Sequence, residues 1–330
     1  MLHFELQNPK DTIRMSESKF IEGKLIEFKA KDGSTLNGFL TGPTKSKKCI
    51  IYVHGMTGNF YGSNLQFHIA KEISSSGYSL FAINTRGHDA VAVIKRIKGS
   101  SRDRFVAGTD LEKFEDSLLD IDAAIMAMKN LKFSEIILAG HSTGCQKVAY
   151  YQYKKKSKEV KGIILLAPAD DYAIQKKVLG KRFDQTVAFS RKMAKDGRGN
   201  EPNPKIPSHF SPNRFLSLTD PRRPESRIFN YDGDLKEFSN INIPICAVFG
   251  NKEEYAVKPV LQYLKILKSK TSSMSFTGVI VDGAGHSFRR QETMLSVFIK
   301  IWLENKSKKI QTYEILELNK KFPLTMLGYS

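Results

Sequence analysis

Cysteine is scarce in this chain, three residues in 330, and none of the three is spaced for a partner. Cys49, Cys145 and Cys246 fall inside apolar stretches, which argues against a disulfide-stapled scaffold or a cysteine zinc site and leaves three reduced core thiols as the expectation. Long apolar runs are also missing. The longest, such as Ile163 to Ala167, fall far short of the roughly 18 residues that cross a bilayer, so no stable membrane insertion is expected. The opening MLHFELQNPK has no basic start leading into an apolar run, which argues against secretion and makes the cytoplasm the expected compartment. Acidic residues are few. Thirty-four Asp and Glu against fifty-two Lys and Arg leave a formal charge of +18. The lysines lie in separate clusters (Lys154 to Lys161, Lys176 to Arg182, Lys265 to Lys270, Lys306 to Lys309), without a nucleic-acid fold signature or an interleaved aromatic platform. A solvated basic surface is therefore expected, with an anionic substrate or a weak, salt-sensitive membrane contact as the alternatives, and no nucleic-acid partner. There is no glycine-rich phosphate loop, no Gly-x-Gly-x-x-Gly after the first strand and no His, Cys and carboxylate cluster with metal-ligand spacing, so neither cofactor nor metal is expected.

What is present is an ordered alternation. Gly23 to Ala30 and Thr35 to Thr41 flank Lys31-Asp-Gly-Ser34, a hairpin signature. Lys48 to Gly55 is a nearly continuous apolar and β-branched run, as expected of a strand covered on both faces. The spacing then predicts a helix over Asn64 to Ser75, a strand over Tyr78 to Asn84, a long helix over Leu111 to Leu131 and a strand over Glu135 to Ala139. Further on it predicts a helix over Gly144 to Lys155 and strands over Gly162 to Ala167, Ile243 to Gly250 and Phe276 to Val281. Helices over Val257 to Lys268 and Gln291 to Asn305 complete the series. A leading hairpin followed by β-α units implies an α/β fold, a mostly parallel sheet with helices on both faces.

Residues 170–240 break the rhythm, with helix-like pieces near Ala173 to Lys195 and a Pro-, Asn- and Arg-rich run after them. A structureless loop of that length is improbable in a compact domain, so this stretch reads as a cap or lid inserted into a core made of residues 1–169 and 241–330. Its apolar residues, among them Phe183, Phe189, Met193, Phe210, Phe215, Leu216 and Phe229, either line a pocket or pack the cap onto the body. The tail from Ile310 to Ser330 reads as an extra strand or arm.

The chemistry concentrates in a few segments. Gly140-His-Ser-Thr-Gly144 sits between a buried strand and a helix, the setting in which a Gly-x-Ser-x-Gly elbow holds its serine in a strained turn. Ser142 is the candidate nucleophile. A hydroxyl needs a base, and His286, in the glycine-rich loop after the last strand, follows the serine in chain order. Glu253, after the strand before that of His286, is the preferred acid; Glu254 and the pair Asp170 and Asp171 remain alternatives. The oxyanion would meet the backbone N–H of Thr143 and of Met56, which follows Val53-His-Gly55. Thr85-Arg-Gly-His-Asp89 reads either as a structural turn or as a contact to the site.

The segment His54-Gly-Met-Thr-Gly-Asn-Phe-Tyr61, the elbow, the Glu253 loop and His286 together resemble the α/β-hydrolase superfamily over roughly Gly23 to Asn305, the insertion and the tail excepted. That resemblance implies an eight-stranded sheet, no cofactor and acyl transfer to water through an acyl-enzyme. A glutamate where the superfamily most often has aspartate is a departure. The expected activity is hydrolysis of a small-molecule carboxylic ester, with thioester or peptide hydrolysis, or a non-catalytic ligand-binding member of the fold, as alternatives. Oligomeric state is not legible.

Overall fold

The computed structural model describes residues 21–43, 45–306 and 315–317. In chain order the elements are β1 (Lys24–Lys29), β2 (Ser34–Thr41), β3 (Lys48–Val53), α1 (Leu65–Ile73), β4 (Tyr78–Ile83), β5 (Ala92–Lys98), β6 (Ser101–Ala107) and α2 (Ser117–Asn130). They continue with β7 (Glu135–His141), α3 (Thr143–Lys155), β8 (Val160–Leu166), α4 (Asp171–Leu179), α5 (Phe183–Lys195), α6 (Pro212–Thr219), α7 (Pro224–Ile228) and α8 (Lys236–Ser239). Last come β9 (Ile245–Gly250), α9 (Val260–Lys270), β10 (Phe276–Val281), α10 (Glu292–Asn305) and β11 (Ile315–Glu317).

The strands form one sheet in the order β11-β10-β9-β8-β7-β3-β4-β2-β5-β6, with β1 on β2. Every pairing from β4 to β11 through the centre is parallel, and β1, β2, β5 and β6 pair antiparallel. Side chains alternate across a strand, so the continuous apolar runs feed two cores. Ile51 and Val53, Leu138, and Leu165 join one cluster with Ile121 and Met128 of α2, Val148 of α3 and Leu264 of α9. Ile50 and Tyr52, Ile137, and Ile164 join the other with Leu65 and Ile69 of α1 and Leu295 and Trp302 of α10. Among the described residues no helix is long and apolar enough to cross a membrane.

Several sequence expectations need correction. Among the described residues the sheet has eleven strands where the resemblance implies eight: β5 and β6 are additions, and β11 lies in the tail that reads as an extra strand or arm. The long helix begins at Ser117, since Glu112 is extended (φ −60°, ψ 128°) and turns its side chain into the interior. The helix-like pieces expected near Ala173 to Lys195, by contrast, are present as two helices, parted where Gly180 takes φ 52°. Pro259 delays α9 to Val260. Most of the tail from Ile310 lies outside the described residues; β11 falls within it and pairs with β10.

Between β8 and β9 the chain folds into helices α4 to α8. Leu179, Phe183, Val187, Phe210, Phe215, Leu216 and Leu218 form a third apolar cluster there, with Met56 and Phe189 packed against it. Phe229 is not part of it; its ring packs with Tyr231 and Phe238 in the main core.

Candidate functional site

Parallel strands end together, so the loops after β3, β7, β9 and β10 share the carboxyl edge of the sheet. Those four loops carry Met56, Ser142, Glu253 and His286.

Ser142 stands between β7 and α3 with φ 54° and ψ −127°, a region that costs a non-glycine residue roughly 1 to 3 kcal/mol. The glycines beside it are required by space. A Cβ on Gly140 would lie 2.3 Å from the Gly144 carbonyl oxygen, and one on Gly144 would lie 2.3 Å from that of Val53. Strand β7, helix α3 and strand β3 therefore touch backbone to backbone around the serine. Gly55 allows a second close approach, for its Cβ would meet that of Ser142 at 2.8 Å.

The loop after β3 is held by His54. Burial lowers its pKa to about 3, so the imidazole is neutral near neutral pH. Its Nδ1–H donates to the Gly55 carbonyl at 2.8 Å, and Nε2 accepts the Thr85 N–H at 3.2 Å. The Gly58 N–H donates to the same Gly55 oxygen at 3.1 Å. In a trans peptide the carbonyl and the next N–H point opposite ways, so fixing the Gly55 oxygen fixes the direction of the Met56 N–H. Among the described residues neither this N–H nor that of Thr143, the first residue of α3, has an acceptor. Helix-start donors of this kind favour negative charge.

His286 is held on three sides. Its Nδ1–H donates to Glu253 Oε1 at 2.7 Å, and the Glu253 side chain is almost wholly buried. Its backbone N–H donates to Glu254 Oε2 at 2.6 Å, a bond that holds the Glu254 carboxyl below its ordinary pKa. Its carbonyl accepts from His141 Nε2 at 2.9 Å. Burial, and then the neighbouring His286, lower His141 to about 4. The two imidazole rings lie 5.1 Å apart, and the exposed Tyr255 ring stands edge-on to His286 at 4.7 Å. Thus His286 is fixed against the residue that precedes Ser142.

The alternative acids are engaged elsewhere. Asp170 caps α4 by accepting the Ala173 N–H at 2.9 Å and also accepts the Tyr231 N–H at 3.1 Å; burial raises it to about 6. Asp171 accepts from Gln146 Nε2 at 2.7 Å and is raised well above the usual carboxylate range by burial. Glu254 grips the backbone of His286 and leaves the ring to Glu253. Thr85 to Asp89 is a structural turn: Arg86 is buried with Nη2 on Asp120 at 2.7 Å and Nη1 on Asp32 at 2.8 Å.

One feature of the site has no local signature in the sequence. Lys147, on α3, is fully buried and meets Glu112 at 2.6 Å; Arg214 of α6, also fully buried, lies 3.7 Å from Glu112 and is paired with Glu225 of α7. Ser217 Oγ donates to the same Glu225 oxygen at 2.6 Å. Burial pushes the Glu112 carboxyl up, but Lys147 and Arg214 outweigh it and hold it below the ordinary value. Four buried charges thus join the helix that follows Ser142 to the helices between β8 and β9.

A family model described as protein of unknown function (DUF1749) matches residues 15–303, and the chain belongs to this family. No curated protein matches it. Among solved structures the chain is similar to Est1E from Butyrivibrio proteoclasticus with ferulic acid bound, at 17% identity and a TM-score of 0.57 over 84% of this chain and 98% of that one. It is similar to the siderophore hydrolase EstB from Aspergillus fumigatus at 16% identity and a TM-score of 0.64, over 88% and 99% of the two chains. A CIB-like hydrolase from Thermoplasma acidophilum gives 15% identity and a TM-score of 0.52 over 86% and 100%. The fold is that of the α/β-hydrolases.

Proposed function

We propose that this member of the DUF1749 family is a serine hydrolase that cleaves a small-molecule carboxylic ester through an acyl-enzyme. The observation that carries the reading is the 2.7 Å bond from His286 Nδ1 to the buried Glu253, beside a serine in a strained strand-to-helix turn. With Nδ1–H committed to Glu253, the free Nε2 of His286 is the basic nitrogen. It takes the Ser142 Oγ proton as the oxygen attacks the ester carbonyl carbon. The carbonyl oxygen, now negative, is met by the N–H groups of Met56 and Thr143. On collapse the C–O bond breaks and His286 passes its proton to the departing alcohol. Water then enters, gives a proton to His286 and attacks the acyl carbon; the bond from that carbon to Ser142 Oγ breaks, His286 returns its proton to Oγ, and the acid leaves. Glu253 compensates the imidazolium in both halves.

The segment 170–240 is the cap in this reading. Met56, which supplies an oxyanion donor from its backbone, packs its side chain on the cap's apolar cluster, and this supports an apolar wall beside the reacting carbonyl. The esterase and siderophore hydrolase names among the structural neighbours fit the same reaction class. Treatment with a fluorophosphonate should label the wild type, and Ser142→Ala should abolish the label. A folded wild type that stays unlabelled and turns over no ester sinks the proposal. Rates on matched ester, thioester and amide panels decide the acyl group.

A further inference from the structure

The ribbon β5–β6 belongs to none of the machinery above. Strand β4 pairs with β2 as far as Ile83 on Gly38, and β5 takes up the same edge of β2 beyond that point, with Thr35 on Lys95 and Ser34 on Arg96. The ribbon therefore carries on past the carboxyl end of β4, on the side of the sheet where Ser142, Glu253 and His286 lie. Its base abuts the loop after β3: the Thr57 N–H donates to Thr109 Oγ1 at 2.8 Å and the Asp89 N–H to the Gly58 carbonyl at 3.1 Å.

The two faces of this ribbon differ. Ala92, Ile94 and Ala107 face inward and are buried. Outward, Val93 stands opposite Val106 and Lys95 opposite Arg104, with Arg102 following. Val93 is 62% exposed and Val106 58%, with Val91 at 55% beside them. Between Ala92 and Ala107 there are five basic residues and a single acid, Asp103, which is taken by Arg96. Among the described residues Lys95, Arg102 and Arg104 have no carboxylate partner. Like charges placed directly opposite on a ribbon are unfavourable, and an exposed β-branched pair adds to the cost.

Both costs are removed by one kind of surface, one that is anionic on the outside and apolar beneath. A second copy joined along β6 fits poorly, because antiparallel pairing of two β6 edges brings Arg102 and Arg104 of one copy near those of the other. Nucleic acid fits poorly as well: the ribbon's one aromatic ring, Phe105, is half-buried with Arg96 over it at 5.0 Å and offers no stacking face. We propose that the β5–β6 ribbon docks this protein on anionic phospholipid surfaces. Lys95, Arg102 and Arg104 meet the headgroup phosphates, and Val91, Val93 and Val106 enter the boundary below them. Docking in this way brings the loop after β3 to the surface, so an ester held there is delivered beside Met56; only this last step rests on the hydrolase reading.

The test is flotation of the full chain with vesicles of phosphatidylcholine alone or with about a third phosphatidylserine, at low and high salt. The wild type should float with the anionic vesicles and be released by salt, and Ser142→Ala should behave identically. Lys95→Glu with Arg104→Glu should lower partitioning at least about tenfold, and Val93→Ser with Val106→Ser severalfold, with turnover of a water-soluble ester unchanged. Equal binding to neutral vesicles overturns the proposal. So does an equal loss on Lys265→Glu with Lys270→Glu, which changes net charge by the same amount elsewhere, or a preference for a duplex oligonucleotide over the vesicles. If no ester is ever turned over, the flotation result still decides the docking.

Discussion

Replacing Glu253 by Gln is the sharpest test of the proposed acid, since the change removes a charge and almost no volume. In the proposed reaction His286 becomes an imidazolium whose Nδ1 lies 2.7 Å from the Glu253 oxygen. At an effective dielectric near 20 a carboxylate and an imidazolium at that distance attract by about 6 kcal/mol. A Gln carbonyl recovers a part by accepting the same hydrogen bond, which leaves about 4 kcal/mol, or roughly a thousandfold in kcat. Ground-state binding does not use the imidazolium, so KM should hardly move. Folding stability should hold as well, because Glu253 Oε2 is buried without a hydrogen-bond partner and loses a desolvation penalty on neutralisation. Glu254→Gln is the matched control. Its carbonyl can still accept the His286 N–H, so kcat should fall by less than about tenfold. Steady-state kinetics on an activated ester, with thermal melts of each variant, read both quantities. A folded Glu253→Gln enzyme that keeps more than a tenth of wild-type kcat, or a Glu254→Gln enzyme that is the poorer of the two, refutes the assignment.

Gly144→Ala should abolish fluorophosphonate labelling and lower Tm, because the added Cβ meets backbone oxygens of Val53 at 2.3 Å and His54 at 2.7 Å; an unchanged melt with full labelling contradicts the packing described. Arg214→Met leaves Glu225 buried and unpaired and should cost about 3 to 5 kcal/mol in chemical denaturation, whereas Arg214→Met with Glu225→Leu should recover most of it. A loss below about 1 kcal/mol for the single variant counts against the buried cluster. Asp170 supplies a pH dependence. Its folded pKa is raised from 3.8 to about 6, so its contribution to stability is fully present below the unfolded value and is lost as pH rises through about 6. The shift corresponds to about 3 kcal/mol, and wild-type stability should decline more steeply between those pH values than that of Asp170→Asn, as denaturation series at fixed pH would read.

Much of this molecule was written locally. The order of buried strands and amphipathic helices gave the sheet, and the elbow was legible because its glycines are demanded by contacts among neighbours that the strand and helix patterns already imply. The pairing of Glu253 with His286 followed from two adjacent strands ending at one edge. Other features are set by contacts that no window contains. Lys147 reads as one more surface lysine on a helix, and only the meeting of Glu112, Arg214 and Glu225 from distant segments makes its burial possible. The β5–β6 ribbon has no clear signature for a different reason: its outward face mixes valines with lysine and arginine, which blurs the alternation that marks a half-buried strand. Glu254 could be named from sequence, but its backbone grip on His286 depends on loop geometry.

The four buried charges also bear on how the helices between β8 and β9 can move. Lys147 with Glu112 on the α3 side and Arg214 with Glu225 on the α6 and α7 side each form a closed pair, and the 3.7 Å approach of Arg214 to Glu112 spans the two. Moving α6 and α7 together away from α3 therefore parts two neutral pairs and strands no single charge, whereas parting α6 from α7 leaves Arg214 and Glu225 without each other in a dry interior, at about 3 to 5 kcal/mol. Any displacement of this region is accordingly a displacement of α6 and α7 as one body.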